Sequence, residues 1–332
     1  MFCCFQQLSI GKELENYDGA ASLTMRHPIE FSYVSNWDYM EKIWQYLFHT
    51  ELDVSPEDQP VLISEPPMNP KSNREKTTEI MFERFNTPAF FLVKEVVMSL
   101  FNTKQISGVV LQSGDGFTFA VPIYEGCSIP SATIKMPLAG RELTQHMNNL
   151  LTLPGDKGQL VKDWDVCRTI KETLCYVADD FKQESSKSPD TFQRTHTLPN
   201  GQSMLLGIER FKCPEALFQP RLYGVEFGGF HEFLNNSIQK CHTDIQADMY
   251  SNIFLSGGNT MFLGLVSRLQ KEISSLVPEE IKVKVHDTPE RHLCAWKGGS
   301  LMASDDTLLS MFIQKDEYDE HGPTIVHRKC YL

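Results

Sequence analysis

An α/β fold in two lobes is what this sequence predicts, and three observations predict it. The stretch Leu111-Gln112-Ser113-Gly114-Asp115-Gly116-Phe117-Thr118 lies between two β-rich runs: Val109 and Val110 precede it, and Phe119, Val121 and Ile123 follow, alternating with smaller residues. That pattern reads as strand, tight Gly-rich turn, strand. A second apolar strand, Asn252-Ile253-Phe254-Leu255, enters Ser256-Gly257-Gly258-Asn259-Thr260, after which Met261, Leu263, Leu265, Val266, Leu269, Ile273 and Leu276 recur about once per helical turn. At 332 residues, with 41% hydrophobic content, the chain exceeds the size at which one core usually divides.

In chain order the remaining elements are a helix over Trp37 to Leu47, a strand at Val61-Leu62-Ile63, a rigid Pro-rich connection at Glu65-Pro66-Pro67-Met68-Asn69-Pro70 and a helix over Asn73 to Phe85. Leu138-Ala139-Gly140-Arg141-Glu142-Leu143-Thr144 starts a further helix, and the polar run Gln183 to Pro189 reads as an exposed loop. Both Gly-rich turns have a chemical use: successive backbone N–H groups surround a phosphate without side-chain charge, and a strand–loop–helix junction adds the positive helix end. Ser-Gly-Asp-Gly is equally the composition of an ordinary hairpin turn. The formal charge of −12 argues against nucleic acid and anionic membrane surfaces. No apolar run is long enough to span a bilayer, and Met1 to Phe5 lacks the basic start of a secretory leader. Nine cysteines without metal-ligand spacing fit reduced thiols in a cytosolic protein.

Together these segments resemble the actin family. The resemblance is carried by Pro28-Ile29-Glu30, Asn36-Trp37-Asp38-Tyr39-Met40-Glu41-Lys42-Ile43-Trp44, Asn69-Pro70-Lys71-Ser72-Asn73-Arg74-Glu75-Lys76 and Phe85-Asn86-Thr87-Pro88-Ala89. It continues through Val121-Pro122-Ile123-Tyr124-Glu125-Gly126, Lys171-Glu172-Thr173-Leu174-Cys175-Tyr176-Val177-Ala178, Cys213-Pro214-Glu215-Ala216-Leu217-Phe218-Gln219-Pro220 and the tail Gly322 to Cys330, in order and nearly without gaps from about Gly11. It implies an actin-like ATPase (RNase H-like) fold, with residues 1–140 and 298–332 in a smaller lobe and 141–297 in a larger one. It also implies an ATP or ADP site. Ser113, Gly114, Asp115 and Gly116 would form the phosphate hairpin, Gly140, Lys171, Glu172, Gly258, Met261 and Phe262 would wrap adenine and ribose, and Gly257 would belong to the same cofactor-binding set. His292 stands where the family has Lys, as a weaker, pH-dependent cation. Lys171 and Glu172 read equally as a solvated helix face, and Phe262 as core.

Departures from the family are the informative part. The family opens with an acid-bearing hairpin and a first phosphate loop that Met1 to Ile10 do not supply, so the smaller lobe is expected to be incomplete. Neighbouring strands would then keep unpaired N–H and C=O groups and rely on a partner. The family has Asp at the position of Gln112, so a carboxylate that organises the hydrated divalent cation is replaced by a neutral amide. Mg²⁺ in phosphate sites relies on one or two carboxylates, and here it loses them. Glu95 stands for a Gln that positions the attacking water, and Phe119 for a nearby His. Phosphoryl transfer depends on positioning and electrostatic stabilisation, so the resemblance implies a pseudo-ATPase with no intact catalytic residue, no metal ligand and weak ATP or ADP binding. The alternative is a working actin that binds ATP, polymerises and hydrolyses slowly.

The family also presents an apolar cleft in which partner helices dock. By resemblance it corresponds here to Phe101, Lys104, Lys297, Leu301, Met302, Asp305 and Thr307, with Asp306 beside it, and the added charges would select among such helices. The Phe218 to Phe230 segment stays apolar and is available for filament-like contacts. Actin or other cytoskeletal proteins are therefore the expected partners, in the cytoplasm, with neither nucleic acid nor membrane.

Overall fold

The structure is a computed structural model that describes residue 10 and residues 26–152, 164–198 and 201–332. Contacts divide it into two compact units. One takes in the described residues up to Val61 with Asn69–Phe91 and Phe312–Lys329; the other takes in Leu62–Met68, Leu92–Met311 and Cys330–Leu332. The lobe boundaries implied by resemblance, at 140/141 and 297/298, remain a proposal.

In the first unit the helix Trp37–Tyr46 begins where Asn36 accepts a hydrogen bond from the Tyr39 N–H at 3.0 Å, an N-cap that satisfies one of the free donors of the first turn. It runs on as a π-helical turn, Leu47–Glu51. The helix Lys71–Glu79 follows Pro70 and likewise continues as a π turn, Ile80–Arg84. The rings of Phe48 and Phe85 lie 5.2 Å apart. The strand Ala89–Lys94 pairs antiparallel with Ile313–Gln314, Ile313 opposite Phe90. Phe91 stacks on Phe312, and Phe82 on Tyr318 at 4.5 Å, so aromatic rings form much of this unit's apolar interior.

The second unit carries the sheet that organises the candidate site. Its strands lie in the order Val285–His286, Ile253–Ser256, Gly108–Ser113, Thr118–Tyr124 and Cys127–Ser128, with Ile134–Met136 also on Thr118–Tyr124. Ile253–Ser256 runs parallel to Gly108–Ser113, with Ser256 opposite Gln112. The hairpin Gly108–Ser113/Thr118–Tyr124 is antiparallel, with Gln112 opposite Phe119 and Ser113 opposite Thr118. Val109, Val110 and Leu111 are all fully buried, as befits a central strand covered on both faces. Leu111, Leu143, Met147, Ile170, Phe230 and Leu265 belong to the apolar core packed around it. The helix Glu95–Phe101 lies against the helix Cys294–Ala303. That approach demands glycine: a Cβ on Gly298 would meet the Met98 carbonyl oxygen at 1.8 Å.

Two expectations from sequence need correction. Gln183 to Pro189 is not simply a loop: Phe181–Ser185 is a short helix whose first turn is capped by Asp180, the Gln183 N–H donating to it at 2.9 Å, and a second helix starts at Pro189. The Gly-Gly loop does not open directly onto a helix either. Gly258–Thr260 is a single 3₁₀ turn, and the helix Leu265–Ser274 begins only after Gly264, which adopts φ of 82° beside the Val177 carbonyl. Helical periodicity from Met261 onward therefore started one turn early, because Gly264 takes a left-handed conformation that interrupts the ladder.

Candidate functional site

Three glycine loops read separately from the sequence meet in the second unit. Gly257, at φ 92°, lies so close to the hairpin that a Cβ on it would stand 2.3 Å from the Ser113 carbonyl oxygen. The Gly140 N–H donates to the Gly114 carbonyl at 2.9 Å, and the Arg141 N–H to that of Asp115 at 3.0 Å. A side-chain relay locks this junction. Thr118 Oγ1 donates to the Leu138 carbonyl at 2.6 Å, which uses its only proton, so Ser113 Oγ donates to Thr118 Oγ1 at 2.7 Å. Asn259 Nδ2 in turn donates to Ser113 Oγ at 3.0 Å.

A cavity of about 250 Å³ opens at the junction, lined by Gly114, Asp115, Gly140, Lys171, Glu172, Gly258, Asn259 and Phe262. Lys171 Nζ is buried and donates to the Gly140 carbonyl at 2.9 Å; burial holds its pKa below the usual lysine range. Glu172 stands 3.9 Å from it, largely exposed. Asp115 is exposed and lies 3.4 Å from Arg141. Burial raises the Glu142 carboxyl, while the Ala139 N–H donating to Glu142 Oε2 at 3.1 Å opposes the rise.

Seven of the predicted nucleotide residues line this one space, with Ser113 and Gly257 holding its rim; Gly116 completes the hairpin turn. Met261 instead lines a second cavity of about 470 Å³, together with Leu263, Gly264, Val266, Gln270 and Arg291, and Phe262 borders both. His292 lines neither. Asn259 was not singled out from the sequence, although it follows the Gly-Gly pair directly. Its Oδ1 is buried without a hydrogen-bond partner.

The residues present can be tested against the groups the fold implies. Positions where a Cβ would fall on Gly114 and Gly258 are open space, so both backbones present a bare surface to an occupant. With a buried cation, an unpartnered acceptor and the Phe262 ring, that surface fits part of a nucleotide. Ligand pockets commonly run from about 300 Å³ upward, so a complete one would be a tight guest. A divalent cation does not fit. Gln112 brings a neutral amide whose Oε1 is buried and unpartnered, and no cluster of three His, Cys, Asp or Glu able to hold a metal exists among the described residues. Across the hairpin from Gln112 stands the buried ring of Phe119. Glu95, at the start of the helix Glu95–Phe101, keeps some accessible surface, yet desolvation pushes its carboxyl up to about 7, opposed by hydrogen bonding from the Gln112 side chain.

The residues compared with a partner groove fall on three elements. Phe101 ends its helix; Met302 is buried and Leu301 half exposed on Cys294–Ala303. Lys297 pairs with Glu290 at 2.7 Å, and Asp305 caps the next helix by accepting from the Thr307 N–H at 2.9 Å. Lys104 lies in the turn after Phe101 with φ of 60°. Among the described residues no helix is long and apolar enough to cross a membrane.

In a comparison against family models, the model for actin matches residues 5–331, essentially the whole sequence. The chain belongs to the actin family.

Proposed function

We propose that this chain is a cytoskeletal or scaffold protein of the actin family whose nucleotide site is degenerate, does not turn ATP over, and whose assembly depends on partner proteins in the cytoplasm. The observation that carries this reading is the Gln112–Phe119 pairing with Glu95 beside it. Phosphoryl transfer needs a held cation and an oriented water. A neutral amide holds a cation less well than a carboxylate, a phenyl ring orients no water, and a carboxyl that desolvation drives toward its neutral form is a poor substitute for either. Ser113, Gly114, Asp115, Gly116, Gly140, Lys171, Glu172, Gly257, Gly258 and Phe262 keep a concave, glycine-lined space that supports weak ATP or ADP binding. Met261 and His292 would contribute only if the ligand reached beyond that cavity.

Partner binding is supported by apolar surface on the helix Cys294–Ala303, where Trp296 is 71% and Leu301 50% exposed. An amphipathic helix presented by actin or another cytoskeletal protein is the occupant this reading favours. Charge at Lys297 and Asp305 is already engaged within the chain, so it would shape selectivity more than affinity. Phosphate release from Mg-ATP by the purified protein tests the reading: none above background is expected, and turnover that disappears on Asp115→Ala would overturn it.

A further inference from the structure

The site's misfit to a divalent cation has a chemical counterpart. Gln112 Oε1 is buried and has no hydrogen-bond partner. A buried acceptor left in that state costs free energy comparable to a lost hydrogen bond. The Gln112 side chain lies within reach of the Glu95 carboxyl, which is the group that desolvation drives toward its neutral form. A carboxylate only accepts hydrogen bonds, whereas a carboxylic acid also donates one. Protonated Glu95 therefore matches Gln112 in both directions: its carbonyl oxygen accepts from the amide nitrogen, and its O–H donates to the orphaned Oε1.

We propose that Glu95 and Gln112 form a protonated acid–amide pair, and that this shared proton takes the place of a divalent cation beside the phosphate hairpin, so that the site admits a nucleotide free of metal. The ligand clause rests on the nucleotide reading above; the proton clause stands on its own. No new bond chemistry is involved: one proton passes from solvent to Glu95, and one negative charge is removed. In the neutral pair both amide hydrogen-bonding atoms are used, and neither group offers the charged carboxylate on which Mg²⁺ relies. When the proton leaves, a negative charge appears one contact away from the strand that delivers Ser113 and Gly114, and it opposes a polyphosphate.

Charged groups on the surrounding elements leave the pair undisturbed. The helix Glu95–Phe101 packs against Cys294–Ala303, Gly108–Ser113 and Ile253–Ser256. The two strands carry no ionisable side chain; the helix Cys294–Ala303 carries Lys297, held by Glu290 at 2.7 Å, and the buried Cys294 thiol, which desolvation pushes up and so keeps neutral. Lys94, just before Glu95, directs Nζ to the Leu332 carbonyl at 2.9 Å. Ser99 and Ser256, hydrogen-bonded to each other at 2.9 Å, are the polar neighbours, and neither titrates.

Two measurements on the full chain decide the matter. Carboxyl ¹³C NMR, with the Glu95 resonance identified by its loss in Glu95→Gln, should give a titration midpoint near neutrality; a midpoint in the ordinary glutamate range overturns the proposal. Separately, ADP binding is followed by thermal shift in EDTA and in magnesium from pH 5.5 to 8.5. Affinity should be the same with either additive and should fall about tenfold from pH 6 to pH 8, becoming flat in Glu95→Gln, whose amide donates to Oε1 at every pH. Magnesium-dependent binding would overturn the replacement of the cation. Absence of ADP binding at every pH would instead defeat the nucleotide reading, and the NMR midpoint would still judge the proton pair.

Discussion

Gly257 shows how much a single residue decides here. Its φ of 92° and the 2.3 Å that would separate a Cβ from the Ser113 carbonyl leave no room for a side chain. Gly257→Ala should lower stability by about 3 kcal/mol, read as a drop in the urea midpoint with unchanged slope. Arg268 is a second such position. Its guanidinium reaches Glu215 at 3.2 Å, with both side chains almost wholly buried. Breaking a pair of this kind strands a buried charge at a cost of about 3–5 kcal/mol, so Arg268→Met should destabilise far more than Glu215→Gln paired with it. Equal losses in the single and double variants would contradict this. Glu95 adds a pH signature. Its folded value, about 7, exceeds its ordinary 4.5, so the folded state holds the proton more tightly than the unfolded state. The resulting stabilisation is full below 4.5 and is lost as pH rises to about 7. Across that window the native protein should lose about 3 kcal/mol that Glu95→Gln retains; parallel curves for the two would sink the assignment. Of these residues, the sequence marked Gly257 through its loop context and Glu95 through the resemblance to the family. The buried Arg268–Glu215 pair was invisible, since its members lie 53 positions apart in the chain, whereas only the Glu272 contact of Arg268 is local.

At the level of elements, local rules located most segments and tertiary contacts trimmed their ends. The helix beginning at Trp37 was located from the sequence, and the structure adds the Asn36 cap that starts it. Asn36→Ala should cost about 1 kcal/mol of stability through loss of the cap, measured by thermal unfolding. The hairpin around Gly114 was legible because alternating apolar residues flank a turn of small residues. Its base is closed by the Asn259–Ser113–Thr118–Leu138 relay, which no local pattern announces. The π turns at Leu47–Glu51 and Ile80–Arg84 were equally silent in the sequence, because a widened turn depends on how the helix end is accommodated by its surroundings. Polar composition at Gln183 to Pro189 suggested a loop, whereas Asp180 caps a helix there. Capping outweighed composition, since one satisfied N-terminal donor suffices to start a short turn.

For the whole molecule, the prediction concerns coupling between ligand and cation. Mg-ATP should stabilise the native chain no more than ATP in EDTA, judged by thermal shift. The exchanged variant Glu95→Gln with Gln112→Asp returns a carboxylate to the hairpin and should make that shift depend on magnesium. A magnesium-dependent shift in the native chain would contradict the degenerate site. Candidate site residues were legible in proportion to how local their signal was. Gly114, Gly140 and Gly258 announced themselves as loop glycines and do line one cavity, while Met261, expected beside them, lines the second. The difference arises at the 3₁₀ turn Gly258–Thr260, which redirects the chain before the helix begins.

By itself the sequence determined the family and the α/β class, because these depend on residue identity and short-range periodicity, and the resemblance singled out residues 95, 112 and 119 as departures from the family pattern. Only the tertiary structure decided that three separate glycine loops close on one cavity, that Gln112 faces Phe119, and that Gln112 Oε1 is left waiting for a donor. Those outcomes depend on strand register and on close backbone approach between segments as far apart in the chain as Ser113 and Gly257, which composition and spacing do not encode.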